Sequence, residues 1–369
     1  MAVVDDDALW ANADDLIRRA AGVPVRVASK SVRVRTIIDR TLARDGFAGI
    51  MSYSLAESNW LADLGHDDLL LAYPTTDAAA LRDLAADDHR RAAITLMVDS
   101  VASLDLIDSA LGPNHPDIRV CIDVDSSLRI GPVHLGVRRS PVHSVRQAKK
   151  LAQAISGRRG FKLVGLMFYD AQIAGLPDSS PAVRLVKSRS NAELHERRGK
   201  VVEAVRQIAE LEIVNAGGTG SLHVTGTDPS ITELTAGSGL FTPTLFDQYD
   251  AFNARPAAFY VLSVARKPTP DIATLFSGGY IASGPTNKNR QPSVAWPEGL
   301  KLIGTEGGGE VQTPVKGKAA RKLKVGDRVV MRYAKAGEMC ERFDDVVLVQ
   351  ADGTTETVPT YRGEGKNFG

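Results

Sequence analysis

Eight short apolar runs recur over the first two thirds of the chain, and six of them are followed by a stretch with helical spacing. The runs are 25–29 (VRVAS), 49–52 (GIMS), 68–72 (DLLLA), 94–98 (ITLMV), 119–124 (RVCIDV), 162–168 (KLVGLMF), 212–215 (EIVN) and 231–234 (ITEL). Between them, 33–45 carries Val34, Ile37, Ile38 and Leu42 at helical intervals, and 54–64, 76–85, 101–111, 144–156 and 192–211 read as further helices. A strand that must return parallel to its predecessor needs a crossover of a dozen residues or so, and a helix supplies it. Eight such units predict a closed barrel more readily than an open doubly wound sheet. The fold class expected is therefore α/β, a (β/α)8 TIM-type barrel.

The pattern changes after residue 253. Segments 259–265 (FYVLSVA) and 327–333 (DRVVMRY) read as antiparallel strands, and 346–350 and 355–359 as a pair joined by a turn at 351–353. Glycine and proline are frequent between 278 and 317. This predicts two domains, a barrel over 1–253 and a C-terminal, mostly-β domain over 254–369. A chain of 369 residues with 43% hydrophobic content can bury cores of that size. Its net charge of +1 gives no general footprint for nucleic acid or an anionic membrane. The two cysteines, Cys121 and Cys340, are too few for a disulfide framework and fit a reducing compartment. The N-terminal segment lacks the apolar stretch of a signal peptide, and no run reaches transmembrane length. A cytoplasmic, soluble protein is expected.

In such a barrel the chemistry gathers where strands end. That rule selects Lys30, Tyr53, Tyr73, Asp99, Asp125, Tyr169 and the loop that starts at Asn215. A partly desolvated lysine amine is a nucleophile for carbonyls. The loop 215–221 (NAGGTGS) has three glycines, whose N–H groups, with the hydroxyls of Thr219 and Ser221, suit a phosphate. A second glycine-containing turn, 235–240 (TAGSGL), follows the eighth run. Phosphate sites after strands seven and eight recur in this fold. A lysine after the first strand and a phosphate cradle after the last two describe a site for pyridoxal phosphate.

On these stretches the chain resembles the fold-type III pyridoxal-phosphate enzymes, alanine racemase and its relatives, and within them the D-threonine aldolase and D-serine dehydratase branch. The matching segments are VRVASKS around Lys30, CIDVDSSLRIG at 121–131, LVGLMFYDAQ at 163–172, NAGGTGS at 215–221, ELTAGSGLF at 233–241 and GDRVVMRYAKAGEMCERF at 326–343. The resemblance implies that Lys30 is the Schiff-base lysine and that Gly218, Thr219, Gly237 and Ser238 hold the phosphate. It implies that Tyr169 lies near the pyridine nitrogen, and that Arg129 contacts the cofactor phenolate or the substrate carboxylate. It further implies a homodimer, a small amino-acid substrate of D configuration, and a divalent metal, zinc or manganese, late in the chain.

Two departures from the branch bear on mechanism. Where relatives carry His-x-Cys or His-x-Asp, this chain has Glu338-Met339-Cys340. On a strand, residues two apart share a face, so Glu338 and Cys340 would be the metal ligands. Where the aldolases carry a histidine three residues after the tyrosine, this chain has Gln172, which is no general base. Tyr53, Tyr73, Asp170 and His134 are the candidates to replace it. The activity expected is lyase chemistry on a β-hydroxy amino acid, by retro-aldol cleavage or by dehydration and deamination. The alternatives are a racemase or epimerase, a cofactor-binding protein with little catalysis, and a barrel whose phosphate site serves a sugar phosphate.

Overall fold

The computed structural model describes residues 1–253, 255–285 and 287–369. Ala254, the first residue of the expected second domain, and Thr286 lie outside the described residues. The chain forms two compact units that are interleaved in sequence. One contains Met1–Asp15, Lys30–Asp39 and Ser238–Asn367, the other Leu16–Ser29, Arg40–Gly237 and Phe368–Gly369.

In chain order the strands of the first two thirds are β1 (Ala2–Asp5), β2 (Val25–Ala28), β3 (Phe47–Ser52), β4 (Leu69–Leu71), β5 (Ile94–Val98), β6 (Ile118–Asp123), β7 (Leu128–Ile130), β8 (Val133–Leu135), β9 (Phe161–Phe168), β10 (Ile213–Ala216) and β11 (Glu233–Ala236). Eight of them close into a parallel barrel in the order β10-β11-β2-β3-β4-β5-β6-β9. Each is the strand expected from an apolar run, within a few residues at its ends. Strands covered on both faces need continuous rather than alternating apolar residues. Accordingly, every residue of β2, β4, β5, β10 and β11 is buried. Leu70, Met97, Cys121, Met167 and Ile213, from five strands, pack as one layer with Met51 and Tyr169 against it. Gly165 makes room in that layer, since a Cβ there would lie 2.9 Å from that of Ile213 and 3.2 Å from the Cys121 sulfur.

A second layer of this unit is ionic. Arg26 on β2 is 2% exposed and donates from Nε and Nη2 to the two carboxylate oxygens of Glu233 on β11, at 2.7 and 2.6 Å. Its Nη1 reaches Asp68 at 2.8 Å, and Asn215 on β10 donates to Glu233 at 2.7 Å. The first and eighth barrel strands meet at β2 and β11, so the pair lies across the closing seam. Gly49 on β3 leaves space for it, because a Cβ there would sit 2.3 Å from Nη1 of Arg26.

The helices that return the chain start on side-chain caps. Ser54 precedes α3 (Leu55–Asp63) and accepts from Glu57 N, and Ser100 does the same for α6 (Val101–Leu111). Ser144 and Gln147 form a reciprocal capping box on α7 (Val145–Ser156). Helix α9 (Pro181–Arg206) begins eleven residues earlier than the expected 192, at a Ser180 cap and a proline in its first turn. Among the described residues no helix is long and apolar enough to cross a membrane.

The other unit is built on a nine-stranded sheet. It contains β12 (Ala258–Thr269), β13 (Ile272–Phe276), β14 (Ser293–Trp296), β15 (Lys301–Leu302), β16 (Gln312–Lys316), β17 (Arg328–Arg332), β18 (Asp345–Val349) and β19 (Thr355–Pro359). The expected antiparallel pairs are present, β12 with β17 and β18 with β19. The turn at 351–353 closes on a Gly353 N–H donated to the Gln350 carbonyl at 2.9 Å, with Gly353 at φ +85. β13 to β16 lie outside the expected set, and so does a strand at the N-terminal end. Residues 2–5 form β1, which pairs antiparallel with β12 and parallel with β18 inside this sheet. The N-terminal residues assigned to the barrel segment therefore contribute a strand to the C-terminal sheet.

Truncating Arg26 would leave Glu233 as an uncompensated buried charge. We expect Arg26→Ala to lower unfolding stability by about 3–5 kcal/mol. Urea denaturation should show a large fall in midpoint, and Arg26→Leu with Glu233→Leu should recover much of it.

Candidate active site

Parallel barrels present functional groups beyond the carboxyl ends of their strands. Three consecutive wall strands, β10, β11 and β2, end in the three sequence features singled out for chemistry. After β10 comes the glycine loop 217–221, after β11 come Gly237 and Ser238, and after β2 comes the one-turn 3-10 helix Ser29–Ser31 that carries Lys30.

The glycine loop is a fitted surface. Gly217 has φ +82, and a Cβ there would lie 2.9 Å from Leu234. At Gly218 a Cβ would lie 2.8 Å from that of Ala174, in α8 (Ala171–Ala174), and 3.6 Å from the Tyr169 ring. The loop is anchored from beneath by Asp170, which is fully buried. Ser221 Oγ donates to one Asp170 oxygen at 3.1 Å and Thr225 Oγ1 to the other at 2.7 Å. Burial raises the Asp170 pKa, opposed by Arg198 and by these hydroxyls. Arg19 holds the Thr219 carbonyl at 2.6 Å. Small residues backed by a rigid support fit the phosphate end of a cofactor. The hydroxyl of Ser221, expected to face the phosphate, is spent on Asp170 instead.

Lys30 is exposed at the surface of its unit. Its turn is fixed by backbone contacts. Arg33 Nε donates to the Lys30 carbonyl at 3.2 Å, and Arg33 itself adopts φ +54 and pairs with Glu341. Gly337 packs so closely that a Cβ would stand 2.0 Å from the Lys30 carbonyl oxygen. Ser29 Oγ, in the barrel unit, donates to the Met51 carbonyl at 3.2 Å.

Tyr169 follows β9 directly. Burial holds its proton above the usual phenol range, and the Arg139 guanidinium lies 5.4 Å from its ring centre. Arg129 sits on a β-hairpin, β7 with β8. Its Nη2 donates to Asp125 Oδ2 at 2.5 Å. Burial would raise the Asp125 carboxyl, but bonds from Ser127 and Arg129 outweigh it and keep the group ionised. The structure thus brings Tyr169 and Gly218 together, and sets Arg129 on a separate hairpin of the same unit.

Of the candidates for the missing histidine, two are engaged elsewhere. Asp170 anchors the glycine loop, and His134 Nε2 bonds the Val137 carbonyl at 3.1 Å within the hairpin segment. Gln172 donates to the Ser126 carbonyl at 2.7 Å and ties down the start of that hairpin.

The expected metal pair needs correction. Glu338 and Cys340 lie in a 3-10 helix, Gly337–Arg342, not on a strand. At three residues per turn, side chains two apart diverge instead of sharing a face. Glu338 is already bonded by Ser283 N at 2.9 Å, by Ser283 Oγ at 2.5 Å and by Tyr333 OH at 3.3 Å. The Cys340 thiol is 1% exposed and pushed up to about 12 by burial, so it stays protonated. Among the described residues no three His, Cys, Asp or Glu side chains form a group that could hold an ion. These donors do not fit zinc or manganese.

One residue escaped sequence reading. Asp123 ends β6, and its pKa rises from 3.8 to about 7, first by burial and then by the charge of Asp99, with Arg139 opposing. The signal was there, an Asp-x-Asp at a strand end, but only its second member was singled out. Because the folded-state value is raised, the Asp123 contribution to stability is full below about pH 3.8 and falls as pH rises towards about 7. Above that it is flat. We expect the melting temperature of wild type, relative to Asp123→Asn, to decline across that window by the equivalent of at most about 4 kcal/mol. A difference independent of pH would show Asp123 ionised throughout.

No curated protein matches the sequence. Solved structures do. D-threonine aldolase from Filomicrobium marinum aligns with a TM-score of 0.81 at 20% identity, over 98% of this chain and 94% of that one. D-threo-3-hydroxyaspartate dehydratase from Delftia sp. HT23 aligns at 0.75 and 19% identity, over 97% and 96%. Alanine racemase from Clostridium difficile 630 aligns at 0.63 and 15%, over 98% of each chain. These likenesses show a shared fold. Residues 4–243 match the family described as alanine racemase, N-terminal domain, and the chain belongs to that family.

Proposed function

We propose that the protein is a pyridoxal-phosphate-dependent lyase acting on a D-configured β-hydroxy amino acid. Membership of the family implies the cofactor and the fold-type III class of enzyme. When bound, pyridoxal phosphate supplies an electron sink for the Cα of an amino acid.

The observation that carries the reading is the run of consecutive strands β10, β11 and β2, ending in Gly218 and Thr219, in Gly237 and Ser238, and in Lys30. Gly218, Thr219, Gly237 and Ser238 would hold the phosphate. Lys30 Nζ would be the amine that holds the cofactor aldehyde, and its free amine would take the substrate Cα proton on one face. Tyr169, beside the glycine loop, would serve the pyridine ring as a neutral partner, since burial keeps its phenol protonated. Arg129, held by Asp125, orients a carboxylate or phenolate oxygen. Asp123 exchanges a proton near neutral pH and is the residue we assign to the β-hydroxyl. Deprotonating that hydroxyl favours retro-aldol cleavage, and protonating it favours loss of water.

The purified protein should show an absorption band at about 420 nm that borohydride removes. The reduced adduct should map to Lys30 by peptide mass analysis, and Lys30→Ala should lack it. D-threonine and related D-β-hydroxy amino acids should yield aldehyde, or keto acid and ammonia. Deuterium entering Cα from labelled water without any of these products would mark the enzyme as a racemase instead.

A further inference from the structure

The barrel unit contains a cleft of about 500 Å³ lined by Asp125, Arg129, His134, Arg138, Arg139 and Ser140, among others. We propose that this cleft is the recognition site for a second, distal anion on the substrate, so that the substrate class is a β-hydroxy amino acid whose side chain ends in a carboxylate. The inference rests on the lyase reading for the reaction, but not for the binding of the anion.

Charge counting is the first argument. Three arginines line the cleft against one carboxylate. That carboxylate, Asp125, is taken by Arg129 at 2.5 Å and by Ser127 N and Oγ, each at 2.8 Å. Arg138 and Arg139 form no ion pair among the described residues, and both are exposed. Asp123, whose pKa Arg139 opposes raising, holds a proton up to about pH 7 and so cancels only part of the charge. Two guanidiniums on adjacent residues in a concave wall are thus left for a ligand. A guanidinium prefers a planar, bidentate oxyanion, which a carboxylate provides.

Rigidity is the second argument, because an anion site made of mobile side chains on a loose loop gains little. The segment that carries these arginines is pinned at both ends. Ser140 Oγ donates to the Asp123 carbonyl at 2.6 Å and accepts from Val142 N at 3.0 Å. On the N-terminal side, Gln172 holds the Ser126 carbonyl and Arg197 donates to the carbonyls of Asp125 at 2.9 Å and Ser127 at 3.2 Å, and Arg197 also reaches the His143 carbonyl at 3.1 Å beyond the arginines. Gly136 fits between, where a Cβ would lie 2.7 Å from that of Ser127.

Position is the third. Arg139 lies over the Tyr169 ring, so the cleft adjoins the tyrosine beside the glycine loop. An anion bound there belongs to the molecule that reacts there. The volume suits a small ligand.

The test is calorimetric titration of the purified full-length protein with succinate, and with butyrate as a monocarboxylate of equal length. Succinate should bind at least about tenfold more tightly, a difference of about 1.4 kcal/mol. Arg138→Gln and Arg139→Gln should each remove most of that preference with unchanged circular dichroism and melting temperature, and Arg138→Glu should abolish succinate binding. Equal affinities for the two acids, or a succinate affinity indifferent to Arg138 and Arg139, would overturn the proposal. Kinetics supply a second arm. The ratio of kcat/KM for 3-hydroxyaspartate over threonine should exceed ten and fall about tenfold in Arg138→Gln. Should wild type turn over neither amino acid, the lyase reading fails, while the succinate titration still decides the cleft.

Discussion

The barrel closes on a buried charge pair. Arg26 and Glu233 face each other across the strands that join the two ends of the βα series, with Asp68 and Asn215 completing the bonds. Such a pair contributes little net stability, because taking both ions out of water costs about as much as their attraction returns. Its consequence is register. A shift of one residue between β2 and β11 would turn Arg26 or Glu233 towards the helices and leave its partner unmatched in the interior. The same register decides which residues stand at the carboxyl ends of β2 and β11, namely Lys30 two positions beyond Ala28, and Gly237 next to Ala236. The location of the candidate chemistry therefore depends on an ionic contact that takes no part in it.

Legibility followed the physics of each segment. The barrel strands could be read because double-sided burial demands unbroken apolar runs, as in ITLMV at 94–98, and four-residue strands tolerate few alternatives. Strand β1 could not be read in this way. Its AVVD is equally a helix-preceding turn by local pattern, and its partners in β12 and β18 lie more than 250 residues away. The β7–β8 hairpin was hidden for a similar reason, since its six residues carry two exposed apolar side chains, Ile130 and Val133, and no alternating buried face. At the site, glycine and lysine positions were visible because strand ends mark them. What the sequence could not display was competition for each side chain. Ser221 and Asp170 both looked available, and they are consumed by each other.

That consumption has a functional side. A loop of glycines is cheap to place against a phosphate but expensive to order, because glycine loses the most conformational freedom on folding. Asp170 offsets this by gripping Ser221 and Thr225 from below, so the ordering is done by the fold and not by the ligand. Gly337 plays a comparable part for the Lys30 turn in the other unit, where only a residue without a Cβ lets the backbone approach the Lys30 carbonyl. In both places a residue of no chemical reactivity sets the position of one that is reactive.

Electrostatics divides the arginines of the barrel unit into two kinds. Arg26, Arg197 and Arg198 are committed, each with its guanidinium bonded to carboxylates or carbonyls and largely withdrawn from water. Arg138 and Arg139 remain in solvent, although Arg139 stands beside an aromatic ring and a carboxyl that resists ionisation. With a net charge of only +1 over 369 residues, the chain does not carry cations in excess. Where two uncommitted guanidiniums gather in a pinned concave segment, the local field is positive by arrangement. A field of that kind favours an anionic group that arrives and leaves, and it also lowers the tendency of Asp123 to hold its proton, which ties the proton affinity of that carboxyl to occupancy of the cleft. An anion bound beside Arg139 would cancel part of the positive charge now opposing protonation of Asp123, and would raise its proton affinity at the moment a substrate is seated.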